Sequence, residues 1–426
     1  MKFYNLKDES QVVSFETAVK TGLGRNQGLF FPKKIEALNN ITQLLDAPVH
    51  ERNFAILKPF VKESINDQDL AEIIRTTFSF PAKLQAVNDK EYCLELFHGP
   101  TLAFKDFGAN FMANCLQNFA DDKPITILTA TSGDTGAAVA HAFHGLTNIQ
   151  VVILFPKGKI SELQQKMFTT LGDNIHTIAI DGSFDDCQQL VKQSFDHQEL
   201  VQQVGLNSAN SINISRLLAQ VCYYFDAVAQ LPKAQRNELV VAVPSGNFGN
   251  LCAGIIAKLL GLPIKRFIAS TNLNDTVPRY LQTGDWLPKA TIATMSNAMD
   301  VSKPNNWPRI EYLMDTEQFA RDALTGGAID EAQTAETVKQ LYAQGYLSEP
   351  HAAIAYEGLH QSLQPEETGI FLGTAHPAKF KSTVEEILNI ELPLPPELAS
   401  CAEKTDLAHS MAANFDALKT FLVNLK

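Results

Sequence analysis

The chain has 426 residues, 45% hydrophobic and 19% charged, with 47 acidic against 35 basic side chains and a net charge of −12. That length exceeds one ordinary core and points to two or three domains of a soluble globular protein. The negative charge is spread over short clusters without a basic stripe, which argues against nucleic acid as a partner, and no apolar run approaches the ~20 residues that cross a bilayer.

Residues 1–95 show little regular periodicity. The segment Phe97-His-Gly-Pro-Thr-Leu-Ala-Phe-Lys-Asp-Phe107 then sets Lys105 among aromatics just past a Gly-Pro turn. An ammonium held against Phe104 and Phe107 in a partly dry site favours its neutral form, and a neutral amine attacks carbonyls. A surface lysine whose stem crosses apolar neighbours gives the same local pattern. Farther on, Pro124–Ala130, Gln150–Phe155, Ile175–Ile180, Leu239–Val243 and Arg266–Ser270 are continuous apolar runs, as expected of strands covered on both faces. Thr135–Gly145, Ser161–Leu171, Phe184–His197, Ile214–Gln230 and Phe248–Leu260 have helical length. This alternation predicts parallel sheets with helices on both sides. Asp330–Gly345 reads as a helix and Gly369–Gly373 as a buried strand. A further helix follows, with Phe380, Val384, Ile387 and Leu388 on one face. Leu392-Pro-Leu-Pro-Pro396 reads as a linker to a helix near Asp416–Asn424. The expected division is an N-terminal extension of the large domain (1–95), a small α/β domain with the lysine (96–235), a large α/β domain (236–390), and a C-terminal linker and helix (391–426).

The opening Met1-Lys-Phe-Tyr-Asn-Leu-Lys-Asp8 lacks the apolar core of a secretory signal. Cys93, Cys115, Cys187, Cys222, Cys252 and Cys401 stand singly, with no metal-binding spacing. A cytoplasmic protein with reduced thiols and no metal site is the expectation.

Four strand-end loops carry candidate chemistry. In Pro244-Ser-Gly-Asn-Phe-Gly-Asn250, Gly246 and Gly249 permit a tight turn and close approach to a ligand, and the helix that follows presents unpaired N–H groups. This is a phosphate cradle without the lysine of a P-loop, although a plain strand–turn–helix junction needs the same glycines. Thr129-Ala-Thr-Ser-Gly-Asp-Thr-Gly136 can hold a carboxylate through Ser132, Thr135 and backbone N–H groups, or Asp134 or Thr135 merely caps the helix. Ser211, Asn213 and Arg216 can converge on a phosphate, or form an ordinary cap with Arg216 on a solvated face. In Gly373-Thr-Ala-His-Pro-Ala-Lys379, Thr374 places a neutral hydroxyl where ligands of open α/β sheets collect, and His376 is as readily structural as basic. A sheltered lysine, a glycine-rich helix start and no metal cluster suit pyridoxal 5′-phosphate.

At these residues the chain resembles the threonine synthases, in their longer branch. The likeness runs from Tyr4-Asn-Leu-Lys7, Gly22-Leu-Gly24 and Asn26-Gln-Gly-Leu-Phe-Phe-Pro32 through Leu96–Phe107 and Ser245-Gly-Asn-Phe-Gly249 to Gly373–Phe380. It implies an α/β fold like that of tryptophan synthase β subunits. Two open, twisted, largely parallel sheets flanked by helices would hold pyridoxal phosphate between them, beside an N-terminal extension. It implies that Lys105 carries the cofactor as a Schiff base, that Gly246, Asn247, Phe248, Gly249 and Asn250 line its phosphate, and that Thr374 faces its ring nitrogen. Thr101, Ser132, Thr135, Ser211, Asn213 and Arg216 become substrate contacts. Asp134 occupies a position where shorter relatives commonly carry asparagine at the phenolic oxygen. An ionised carboxylate there would repel a phenolate, so Asp134 must be protonated, turned away or used otherwise. The implied reaction turns O-phospho-L-homoserine and water into L-threonine and phosphate, in a monomer or homodimer. Another pyridoxal-dependent lyase or dehydratase, or a non-catalytic phosphoester-binding protein, are the alternatives. His98 receives no role.

Overall fold

A computed structural model describes residues 1–120, 124–131 and 133–425, so Ser132 lies outside the described residues. The apolar runs form strands because helices cover both faces. Leu239–Pro244 is buried at every residue and lies parallel between Ile264–Thr271 and Thr368–Gly373, with Val241 opposite Phe267 on one side and Ile370 on the other. These belong to a six-stranded sheet in the order Leu324–Ala328, Ile264–Thr271, Leu239–Pro244, Thr368–Gly373, Glu91–Glu95, Lys83–Ala86. Only the edge strand Lys83–Ala86 runs antiparallel. A second, fully parallel sheet has the order His409–Ala412, Ile175–Asp181, Ile149–Pro156, Ile125–Ala130, Leu206–Asn207. The N-terminal region adds a small antiparallel sheet of Asp8–Val13, Phe3–Asn5 and Phe30–Pro32.

The tail is more than a linker and a helix. After Pro396–Ala402, the strand His409–Ala412 completes the edge of the five-stranded sheet. Helix Phe415–Asn424 then buries Leu418 and Leu422 in one cluster with Leu190, Leu200 and Val204. Burial of those side chains holds this segment on the sheet. Within residues 1–95, helices Val49–Val61 and Asp67–Thr77 pack their apolar stripes into the main core, and Glu91–Glu95 lies inside the six-stranded sheet.

Helix Lys105–Asn118 crosses helix Ile214–Gln230 closely at Gly108, where a β-carbon would fall 2.9 Å from the Arg216 carbonyl oxygen. This contact fixes the start of the first helix, and with it Lys105. Thr131, Ser245 and Thr374 each follow the carboxyl end of a parallel strand, where ligands of such sheets bind. Among the described residues no helix is long and apolar enough to cross a membrane, and no group of His, Cys, Asp and Glu is placed to hold a metal.

Candidate active site

The lysine segment is laced to the last loop of the large sheet. Phe104 N–H donates to Thr374 O at 2.9 Å, His376 N–H donates to Leu102 O at 3.0 Å, and Ala103 bridges Ala375. Thr101 reinforces the turn, donating its backbone N–H to Asp106 Oδ2 at 2.9 Å and its hydroxyl to Asp106 Oδ1. Lys105, at the first position of its helix, is thereby held with its ammonium 5.2 Å from the centre of the Phe104 ring, and its side chain is 17% exposed. Burial pushes the Lys105 amine below the usual lysine range. The Asp134 carboxylate opposes that shift, while Lys379 and Arg216 add to it.

Asp134 begins helix Asp134–Phe143 without capping it through its side chain. Thr131 does that work: its hydroxyl accepts from Gly133 N–H at 3.0 Å and Gly136 N–H at 2.8 Å. The Asp134 carboxylate is instead shared by two lysines, Lys379 Nζ at 2.7 Å and Lys105 Nζ at 3.7 Å. Burial works against its charge, but the two ammonium groups outweigh burial and hold the carboxyl well below the ordinary range. Of the alternatives open for Asp134, the geometry is that of an ionised group used in ion pairs. Thr135, at the next position, is half-buried and lines the cleft.

The loop after Leu239–Pro244 has the properties of a phosphate site. Phe248 adopts φ 61° immediately before helix Gly249–Leu259, and no side chain caps that helix start. Its first N–H groups are therefore left for a ligand. A β-carbon on Gly246 would lie 2.9 Å from Met299 Cα and 3.1 Å from Ala298 O, so the loop rests directly on another backbone. Asn247 joins the same packing, accepting from Asn306 N–H at 3.1 Å through its carbonyl and from Asn305 N–H at 3.3 Å through Oδ1. Asn250 Oδ1 accepts from the hydroxyls of Tyr223 at 2.6 Å and Tyr224 at 2.8 Å, and its buried Nδ2 has no partner among the described residues. An orphaned amide donor and an uncapped helix start fit a phosphorylated cofactor, and the sheltered amine of Lys105 fits its aldehyde.

Lys105, Asp134, Thr135, Ser208, Ser211 and Asn247 line one cleft of about 2360 Å³. Asn213 does not line it. Its Oδ1 accepts from Ser215 N–H and its Nδ2 donates to Val19 O, so both ends of the amide serve the helix cap and its neighbour. Arg216 is also off the cleft wall and 2% exposed, with Nη1 donating to Ala209 O and Nε without a partner. The solvated-face alternative for Arg216 does not hold. Burial lowers Arg216 to about 10, with Asp106 opposing the shift. His376 caps the turn Pro377–Phe380 by accepting from Ala378 N–H, and His98 pairs with Glu95 at 2.8 Å.

Two residues of this region were not singled out from sequence. Lys379, 1% exposed at its side chain, donates to Thr101 O at 2.7 Å besides pairing with Asp134. Arg309, fully buried, donates to Phe30 O, Ile212 O and Asn306 Oδ1, tying the N-terminal sheet to the floor of the phosphate loop.

Comparison with known proteins adds a family to this geometry. Residues 75–372 match the pyridoxal-phosphate dependent enzyme family, residues 2–78 the threonine synthase N terminus and residues 352–422 the threonine synthase C-terminal region. A curated threonine synthase of Escherichia coli is 59% identical over 426 residues, covering 100% of both chains. The crystal structure of threonine synthase from Escherichia coli superposes with a TM-score of 0.95 over 100% of both chains. A PLP-bound threonine synthase from Brucella melitensis, 32% identical, gives 0.92 over 99% of both.

Proposed function

The chain belongs to the threonine synthase family of pyridoxal-phosphate-dependent enzymes, and from that premise we propose that its cleft converts O-phospho-L-homoserine and water to L-threonine and phosphate, with Lys105 as the catalytic residue. The observation that carries this reading is a sheltered amine on a cleft that is also lined by Asn247, two positions before an uncapped helix start suited to a phosphate.

Bound pyridoxal phosphate supplies an electron sink that makes C–H bonds next to the substrate nitrogen acidic. Gly246, Asn247, Phe248, Gly249 and Asn250 would hold its phosphate, and Lys105 would hold its carbonyl carbon before substrate binds. Thr374 supports the ring nitrogen with a neutral hydroxyl. Once free, the Lys105 amine takes protons from Cα and Cβ of the substrate. Burial lowers the proton affinity of that amine, which favours the neutral form a base needs. Phosphate departs from Cγ, the hydroxyl of water ends on Cβ, one proton ends on Cγ and one returns to Cα. Thr135 and Ser211, on the cleft wall, orient the substrate. Water entering early would divert the reaction toward a keto acid, so the cleft must shut out bulk solvent until hydration is due. A cytoplasmic location accords with the six buried free thiols.

Incubating the purified protein with O-phospho-L-homoserine tests the proposal. Threonine and phosphate in equal amounts are expected. Phosphate with a keto acid in place of threonine would mean a different lyase, and binding without turnover would mean a phosphoester-binding protein.

A further inference from the structure

One carboxylate, Asp134, lies between two lysines, the buried Lys379 and the half-buried Lys105, and the two are not equivalent. Lys379 Nζ is 2.7 Å from Asp134 Oδ1 and Lys105 Nζ is 3.7 Å from Oδ2. Lys379 is also anchored on its other side by Thr101 O at 2.7 Å, in the turn that leads into Lys105. Its own backbone belongs to the turn Pro377–Phe380, where Lys379 N–H bonds His376 O and His376 N–H bonds Leu102 O. A single ammonium therefore joins the start of helix Asp134–Phe143, the lysine segment and the loop after the strand Thr368–Gly373.

We infer that Lys379 is a positioning residue for Lys105: it takes the shorter contact with the Asp134 carboxylate, 2.7 Å against 3.7 Å, so that Lys105 keeps only the longer one and is freer to work as a neutral nucleophile and base. The inference rests on Lys105 being the cofactor lysine and deepens that reading by naming what keeps its amine available. A cation in a buried site retains its proton when a carboxylate approaches closely, and loses it more readily when that carboxylate is held elsewhere. The groups acting on Lys105 from its surroundings are Asp134 on the helix start, Lys379 on the last loop and Arg216 on helix Ile214–Gln230. Asp106, next to Lys105 in its own helix, is turned to Thr101. His351 acts on Asp134 from helix Pro350–His360, and its Nε2 accepts from Ala298 N–H while Nδ1 faces Glu349. Of these, Lys379 alone both contacts the carboxylate and adds repulsion of its own toward Lys105.

The test reads the Lys105 amine directly. The full chain is freed of cofactor with hydroxylamine, and its integrity is checked by return of the visible band on adding pyridoxal phosphate. Its amines are then methylated with formaldehyde and cyanoborohydride across pH, and the Lys105 peptide is followed by mass spectrometry. Lys379→Met is expected to raise the labelling midpoint of Lys105 by about one pH unit or more, a roughly tenfold slower reaction at a fixed pH below the midpoint. Lys379→Arg, which keeps the charge, is expected to return the midpoint toward wild type. An unchanged midpoint in folded Lys379→Met protein overturns the inference, since a merely structural lysine would move stability and not this profile. If Lys379→Met does not fold, Lys379→Gln takes its place, since its amide keeps a donor toward Asp134 and Thr101 without the charge. Its Lys105 midpoint should lie above that of wild type, and a midpoint that stays at the wild-type value overturns the inference. None of these readings uses turnover. A protein that makes no threonine would sink the proposed reaction while leaving the labelling result intact.

Discussion

Replacing Gly246 by alanine adds one methyl group at the most constrained point of the phosphate loop. That carbon would sit 2.9 Å from Met299 Cα, 3.1 Å from Ala298 O and 3.5 Å from Met299 C. All three neighbours are backbone atoms, so no side chain can swing aside, and comfortable carbon–carbon contact needs about 3.5–4.0 Å. The overlap can be relieved only by separating the 245–250 loop from the 298–306 segment. That segment is hydrogen-bonded to Asn247 through Asn305 and Asn306. Overpacking of this kind costs about 1–3 kcal/mol. If the loop moves, the cost appears in cofactor affinity, and at about 1.4 kcal/mol per factor of ten the dissociation constant for pyridoxal phosphate rises about 5- to 150-fold. If the loop stays and strain is stored, the cost appears as a lower urea midpoint of the cofactor-free protein. Absorbance titration with pyridoxal phosphate and urea unfolding separate the two. A variant unchanged in both would refute the close packing on which the cradle depends.

Thr131→Val keeps shape but strips the acceptor from Gly133 and Gly136 N–H groups, both buried. It should cost about 2–4 kcal/mol of stability, read by urea unfolding, because two donors lose their partner at the helix start beside Asp134. Burial pushes the Asp106 carboxyl up from 3.8 to about 6, with the Thr101 hydrogen bonds acting against the shift. A raised folded-state value favours the protonated folded form, so this group lowers stability progressively between about pH 4 and pH 6 and by about 3 kcal/mol above that window. Asp106→Asn should remove that slope, and curves that stay parallel to wild type across the window would contradict the assignment. On the proposed reading Thr374 would offer the bound cofactor a neutral hydroxyl instead of a carboxylate, so nitrogen-15 NMR of labelled cofactor should show an unprotonated ring nitrogen at neutral pH. Thr374→Val should weaken cofactor binding by about 1–3 kcal/mol.

Much of the architecture was legible because buried parallel strands are written locally. The run Leu239–Val243 became the strand Leu239–Pro244, and Gln150–Phe155 became Ile149–Pro156, since the side chains buried there must be apolar when helices lie on both faces. The strands that escaped are those whose residues face something else. Glu91–Glu95 begins with a buried carboxylate paired to His360 at 2.9 Å, a partner 269 positions away. Leu324–Ala328 is a glycine-rich edge, and Leu206–Asn207 is two residues long. In the site, the shelter of Lys105 and the close packing at Gly246 and Gly249 were legible because their neighbours in sequence already describe that environment. Lys379 was not, because a lysine two residues after a proline reads as solvated. Only the fold brings Asp134 to it, and that pairing spans 245 positions. Asn213 failed in the opposite direction: its amide is spent on Ser215 and Val19, the second of which is remote in sequence.

Borohydride reduction of the holoprotein followed by peptide mapping tests the central claim most directly. Reduction fixes the cofactor to whichever amine holds it, and the structure offers two lysines within reach of the same carboxylate. The account predicts loss of the visible band and one stable adduct, on Lys105, in wild-type protein. An adduct on Lys379 or on any other lysine, with Lys105 recovered unmodified, would contradict it.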